Sequence, residues 1–198
     1  MSSSYDPIYM PVFWFVIFSW FVFGAAFLFR KKAQASVKRE RQNKSVVGII
    51  LVGAGYTLIW FVRRPVNTPI IELGIYITYS IDFLAVVIAI VSIWFMLTAI
   101  RELGKQWNVT AVLVEDHKLI TSGPYRIVRH PIYLGMLGML VATGIAQSEW
   151  YVILPGLALA IAGTLVRVHF EEKLLLLTFG QEFESYRKNV PALFPWIY

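Results

Sequence analysis

Residues 132–166 read IYLGMLGMLVATGIAQSEWYVILPGLALAIAGTLV. Two apolar runs, Ile132 to Ala146 and Trp150 to Val166, are separated only by Gln147-Ser148-Glu149. A helix rises about 1.5 Å per residue, and crossing a bilayer core of about 30 Å takes roughly 17 to 25 apolar residues. The runs therefore read as two short helices, and so tight a polar turn makes them a hairpin within the membrane. Whatever precedes Ile132 must then emerge beside whatever follows Val166.

Upstream the pattern repeats. Pro11 to Phe29 ends abruptly at Arg30-Lys31-Lys32, and Val46 to Val62 carries Gly48, Gly53 and Gly55, as close helix packing in lipid often requires. A third span lies somewhere within Ile70 to Ile100. The expected fold is an all-α integral membrane protein of about five transmembrane helices. We read one membrane domain over 1–198: a two-span packing region at 1–69, then a region at 70–198 with spans three to five and an amphipathic tail.

Composition supports this class. The chain is 58% hydrophobic and only 15% charged, where a soluble domain carries about a quarter charged residues. The absence of cysteine excludes disulfides, thiolate nucleophiles and cysteine-ligated clusters. Three scattered histidines, His117, His130 and His169, make a poor metal site, and no metal is expected. A cleavable signal peptide is not expected, because the first span is long and no basic residue precedes it. Sixteen of the eighteen Lys and Arg residues fall in the first loop, the third loop and the tail; Arg63 and Arg64 are the exceptions. The positive-inside rule places these segments in the cytoplasm and the N-terminus outside. The membrane is the inner one in a prokaryote and the endoplasmic reticulum in a eukaryote. Residues 30–45 suit anionic membrane lipids, whereas no recognition element for nucleic acid accompanies the charges.

Three polar clusters converge on that face: Leu103 to Asn108, His117 to Tyr133, and Arg167 to Tyr186. Arg167 and Glu171, four apart, share a helix face, while Glu172 points about 100° away. Pro124 and Pro131 predict extended backbone at Gly123 and His130. Tyr133 then lies in the first turn of span four, where free amides favour a carboxylate. A plainer reading makes Trp107, Tyr125 and Tyr133 an aromatic belt with Arg126 and Arg129 as topology anchors. Asp82 is expected at the outer interface without a function, and His169 is read as interfacial.

The order Leu103-Gly104, Trp107, Leu119-Ile120-x-x-Gly123-Pro124-Tyr125, Arg129-His130-Pro131-x-Tyr133-x-Gly135 resembles the isoprenylcysteine carboxyl methyltransferase family. So does Arg167-x-x-x-Glu171-Glu172, followed by Phe179-Gly180-x-x-Phe183-x-x-Tyr186 and Pro191. The wider superfamily, which includes phospholipid N-methyltransferases, looks similar around His-Pro-x-Tyr. The resemblance implies a membrane methyltransferase using S-adenosyl-L-methionine, with its pocket on the cytoplasmic face. By matching position, His117, Lys118, Leu119, Ile120, Tyr125, His130, Pro131, Ile132 and Tyr133 would line the cofactor pocket. Glu171 would face the cofactor's cationic end, and Arg167, with Trp107, the substrate. Arg167 and Glu171 are the expected catalytic residues. The substrate would be a lipophilic or lipidated molecule entering from the bilayer and methylated on a carboxylate. The Gly104–His117 loop is shorter than in the eukaryotic enzymes, and the chain's size resembles prokaryotic members. Three other readings stand beside this one: an aminophospholipid N-methyltransferase with His130 or Glu171 as base, an NADPH-dependent membrane reductase, and a non-catalytic lipid-binding protein.

Overall fold

The computed structural model describes residues 5–28, 46–104 and 119–194. It is a helical bundle of α1 (Tyr9–Leu28), α2 (Val46–Phe61), α3 (Ile75–Leu103), α4 (Pro131–Gln147), α5 (Trp150–Phe179) and α6 (Gln181–Asn189), with a 3₁₀ turn at Gly123–Arg126. Among the described residues, three helices, α1, α3 and α5, are long and apolar enough to cross a membrane. The other two apolar helices, α2 and α4, have 16 and 17 residues, about 25 Å at the standard rise.

The hairpin expected from Gln147-Ser148-Glu149 is present, and the turn is clamped to the end of α2. The Ser148 hydroxyl donates to the Ile59 carbonyl (2.6 Å), the Glu149 amide to Val62 (3.2 Å) and the Arg64 amide to Gln147 (3.0 Å). Its two arms nevertheless take different principal neighbours: α5 packs mainly on α2, and α4 mainly on α3. Missing side chains explain both choices. A Cβ on Gly48 would sit 2.8 Å from the Gly163 carbonyl and from Arg167 Cγ, and one on Gly163 would meet the Gly48 carbonyl at 2.6 Å. Gly55 and Gly156 repeat this contact two turns along. On the other side, a Cβ on Gly135 would sit 2.9 Å from Met96, and Gly138 abuts Ser92. Such small-residue seams let helix backbones approach where lipid offers no hydrophobic drive to associate. α1 covers α3 and α4, burying Val12 and Val16 against Ala85, Ala89, Met139 and Ala142.

One local expectation is corrected. Gly123 is not extended but left-handed (φ 57°), and it opens the 3₁₀ turn. Glu102 lies against it. Its side chain lies where a Cβ on Gly123 would come within 3.3 Å, and the Ser122 hydroxyl donates to its carboxylate. Only glycine takes this conformation without strain. α3 begins at Ile75, and Asp82 is buried together with Asp6 and Arg64. Asp6 Oδ1 accepts from the Ile8 amide (3.1 Å), and the Asp6 carboxyl faces that of Asp82. Arg64 donates to the carbonyls of Thr68 (2.8 Å) and Ile145 (2.6 Å), and its guanidinium lies 5.0 Å from the Tyr9 ring centroid. Burial pushes the Arg64 guanidinium below its ordinary value, while Tyr9, Asp82 and Asp6 favour its charge.

Candidate active site

At the opposite end, α4 starts on Pro131, whose fixed φ and missing N–H suit a first helical position. Tyr133 thus projects from the first turn. α5 continues well past its apolar run, carrying Arg167, Glu171 and Glu172 on a rigid helix until Gly180 (φ 51°) ends it.

The two helices meet through a compact polar network. Arg167 Nε donates to the Tyr133 hydroxyl (2.9 Å), which donates in turn to Glu171 Oε1. Arg167 Nη2 reaches the same carboxylate at 3.5 Å, the i,i+4 pair read from sequence. The guanidinium also lies 5.5 Å from the centre of the Tyr133 ring. His130 sits between two acids, with Nδ1 3.7 Å from Glu171 and Nε2 3.3 Å from Glu172. Arg129 Nε donates to Glu172 at 2.7 Å. The Arg167 and Glu171 side chains keep 18% and 25% of their surface exposed, so charged ligands can still reach them.

Next to this network lies an apolar cavity of about 80 Å³. Leu119, Ile120, Tyr125 and Arg129 line one side, and Phe179, Phe183 and Tyr186 another. The chain after α6 is docked on the segment before α4. The Arg129 and His130 amides donate to the carbonyls of Pro191 (2.8 Å) and Ala192 (3.0 Å), and the Tyr186 hydroxyl to that of Tyr125 (2.6 Å). Burial pushes the Tyr186 phenol well above its ordinary value.

Of the residues singled out by sequence, His130, Tyr133, Arg167 and Glu171 come together in one network. Leu119, Ile120 and Tyr125 come together in the adjoining cavity. Pro131 is buried at the start of α4, and Ile132 packs against Phe23, Met96 and Ile100 instead of facing either feature. Trp107, His117 and Lys118 lie outside the described residues. The sequence reading missed Arg129 and Glu172, although each adjoins a residue it chose. It also missed Gly48, whose spacing signalled packing but not the Arg167 stem against which it packs.

Residues 84–177 match the model of the isoprenylcysteine carboxyl methyltransferase (ICMT) family. Over that stretch the chain is similar to the ICMT family. It is 32% identical over 128 residues to a probable protein-S-isoprenylcysteine O-methyltransferase of Oryza sativa subsp. indica, covering 60% of this chain and 63% of that protein. It is 29% identical over 143 residues to the methanethiol S-methyltransferase of Mycobacterium tuberculosis, covering 70% and 54%. The chain thus spans less than two thirds of the length of these curated relatives. A solved structure of the eukaryotic intramembrane Ras methyltransferase ICMT superposes with a TM-score of 0.55 at 20% identity, over 96% of this chain and 65% of that one. That likeness establishes a shared ICMT fold.

Proposed function

We propose that this ICMT-like chain is an S-adenosyl-L-methionine-dependent membrane methyltransferase acting on the carboxylate of a lipophilic, prenylcysteine-like substrate. The observation that carries the reading is the Arg167–Tyr133–Glu171–His130 network beside the cavity of Leu119, Ile120 and Tyr125. These residues fit the cofactor. An apolar, aromatic-lined cavity suits a nucleobase, a partly exposed carboxylate suits a cationic centre, and a helix N-terminus beside His130 suits an amino-acid carboxylate.

Bound there, S-adenosylmethionine supplies an electrophilic methyl group on a positively charged sulfur. Tyr125 and the residues around the cavity hold the base, His130 and Tyr133 position the amino-acid end, and Glu171 offsets the positive charge. Arg167 holds the acceptor carboxylate, because a planar guanidinium suits that group. A carboxylate with a pKa of about 4 is already ionised at neutral pH, so no residue need take a proton. Alignment and exclusion of water are what the site contributes. In this reading α2 and α4 also cross the bilayer, giving five spans in a single domain. The N-terminus lies outside, and the network faces the cytoplasm with the basic loops. The acceptor's lipid part reaches Arg167 from the bilayer, and the reaction needs no metal.

The purified chain is incubated with labelled S-adenosylmethionine and, separately, a farnesyl thioether of N-acetylcysteine, an aminophospholipid and a small alkyl thiol. A base-labile labelled ester from the first acceptor is the expected result. Label in the phospholipid or thiol instead would assign a different acceptor. Binding of NADPH but not S-adenosylmethionine in calorimetry would overturn the methyltransferase reading.

A further inference from the structure

Glu171 and Glu172 are adjacent, yet they serve different partners. Glu171 faces Tyr133 and Arg167. Glu172 faces the other way, and its Oε1 meets both Arg129 Nε (2.7 Å) and His130 Nε2 (3.3 Å). Its side chain is only 12% exposed and is not among the residues lining the apolar cavity. Arg129 in turn does line that cavity, and its Nη1 donates to the carbonyls of Arg187 (3.0 Å) and Val190. One part-buried carboxylate therefore touches two things at once: the ring that faces Glu171, and the arginine that holds the C-terminal strap.

We propose that Glu172 is a positioning residue for cofactor binding. It fixes the His130 ring between the two acids and, through the cavity-lining Arg129, fixes residues 187–192, the strap bonded to Arg129 and His130. This rests on the reading of His130 and the cavity as the cofactor site. The chemistry favours a carboxylate here. A charge-assisted bond to a guanidinium is shorter and stronger than a neutral one, and Arg129 has donors left for the strap only if its fork is held in one orientation. His130 has two ring nitrogens facing two acids, and a neutral imidazole can donate to only one of them. Removing the Glu172 charge therefore frees the ring and the guanidinium together.

The test is Glu172→Gln in the full-length chain, with Gly55→Ala as a packing control remote from the site. Three quantities are read: S-adenosylmethionine affinity by calorimetry, the KM for each substrate, and exchange of the Arg129 and His130 amide hydrogens. In Glu172→Gln the cofactor Kd should rise about tenfold or more, and the two amides should exchange about tenfold faster. The acceptor KM should move by less than about twofold. Gly55→Ala should lower thermal stability without moving the cofactor Kd, which separates positioning from general loosening. If Glu172→Gln does not fold, Arg129→Lys, which keeps the charge but not the fork, should give the same two changes. Cofactor affinity within about twofold of the parent overturns the proposal, whether or not the amides exchange faster. If the parent chain binds no S-adenosylmethionine, the assigned function fails; the exchange measurement still decides whether Glu172 holds the strap.

Discussion

The two ends of this bundle both gather charged residues, but on different terms. At the site end, Arg129, His130 and Arg167 face Glu171 and Glu172, and several of these side chains remain partly exposed. At the opposite end, Asp6, Arg64, Asp82 and Gln147 are almost wholly buried. Asp6 Oδ2, Arg64 Nη2, Asp82 Oδ2 and both amide atoms of Gln147 have no partner among the described residues. A partly wetted network can exchange its internal partners for a ligand, because water and ligand both compensate what is broken. A dry cluster cannot; its charges compensate one another or the fold suffers. In the proposed function, the difference separates the place assigned to chemistry from a place where the chain is tied. The dry cluster joins the segment before α1, the loop after α2, the second turn of α3 and the end of α4.

The largest effect should come from breaking the dry end. Arg64→Ala removes the guanidinium that faces Asp6 and Asp82 and that binds the Ile145 carbonyl. It should cost about 3–5 kcal/mol of stability, as removal of one partner of a buried charge cluster does. Specific activity per folded molecule should persist. Unfolding in mixed micelles measures the first, and turnover of the folded fraction the second. Loss of activity without loss of stability would reverse the roles assigned to the two ends.

Next comes the site itself. Arg167→Ala and Glu171→Ala should each lower kcat/KM on the order of 10²–10³-fold, the usual effect of deleting a charged group aimed at the reacting centre. Melting temperatures should stay close to that of the parent, since both side chains are partly exposed. A scaffold without catalysis would tolerate both substitutions.

These contrasts also show what the sequence could and could not reveal. The hairpin was legible because two apolar runs and a polar turn leave few alternatives. Arg167 and Glu171 were legible as a pair because helix periodicity places i and i+4 on one face. Glu172 was not, since periodicity tells which way a residue points but not what stands there. Arg129 reaches it only because the α4 start and the α5 end meet in space. The partners of Asp82 were not legible for a similar reason: Asp6 and Arg64 lie in other segments of the chain. The left-handed Gly123 lies against Glu102, again a contact that local rules do not contain.

A smaller effect tests whether the N-terminal half serves the site or only packs. A methyl group on Gly48 would crowd the Gly163 carbonyl and Arg167 Cγ, both at 2.8 Å, whereas one on Gly55 would crowd Gly156 and Ala160, away from the site. Gly48→Ala and Gly55→Ala should each cost about 1–3 kcal/mol by overpacking. Only Gly48→Ala should raise the acceptor KM, because only that substitution displaces Arg167. Equal KM values in the two variants would reduce α2 to a packing partner.

The smallest effect concerns the strap. Tyr186→Phe deletes the hydroxyl that donates to the Tyr125 carbonyl, and should cost about 1 kcal/mol, the net value of one hydrogen bond. The same hydroxyl gives the strap a pH dependence of definite sign. Burial raises the Tyr186 phenol above its ordinary value of 10.0. The folded state therefore favours the neutral form, and the stabilisation is fully present below pH 10. As pH rises past 10, phenols ionise first in the unfolded chain, and the contribution declines until the folded-state value is passed. The parent should lose strap stability over that alkaline range by more than Tyr186→Phe does. Amide exchange at Arg129 and His130 reads the difference, because their hydrogens are held by the strap carbonyls of Pro191 and Ala192. Parallel alkaline profiles for the two proteins would show that Tyr186 anchors the strap by packing alone, with Phe183 buried beneath it.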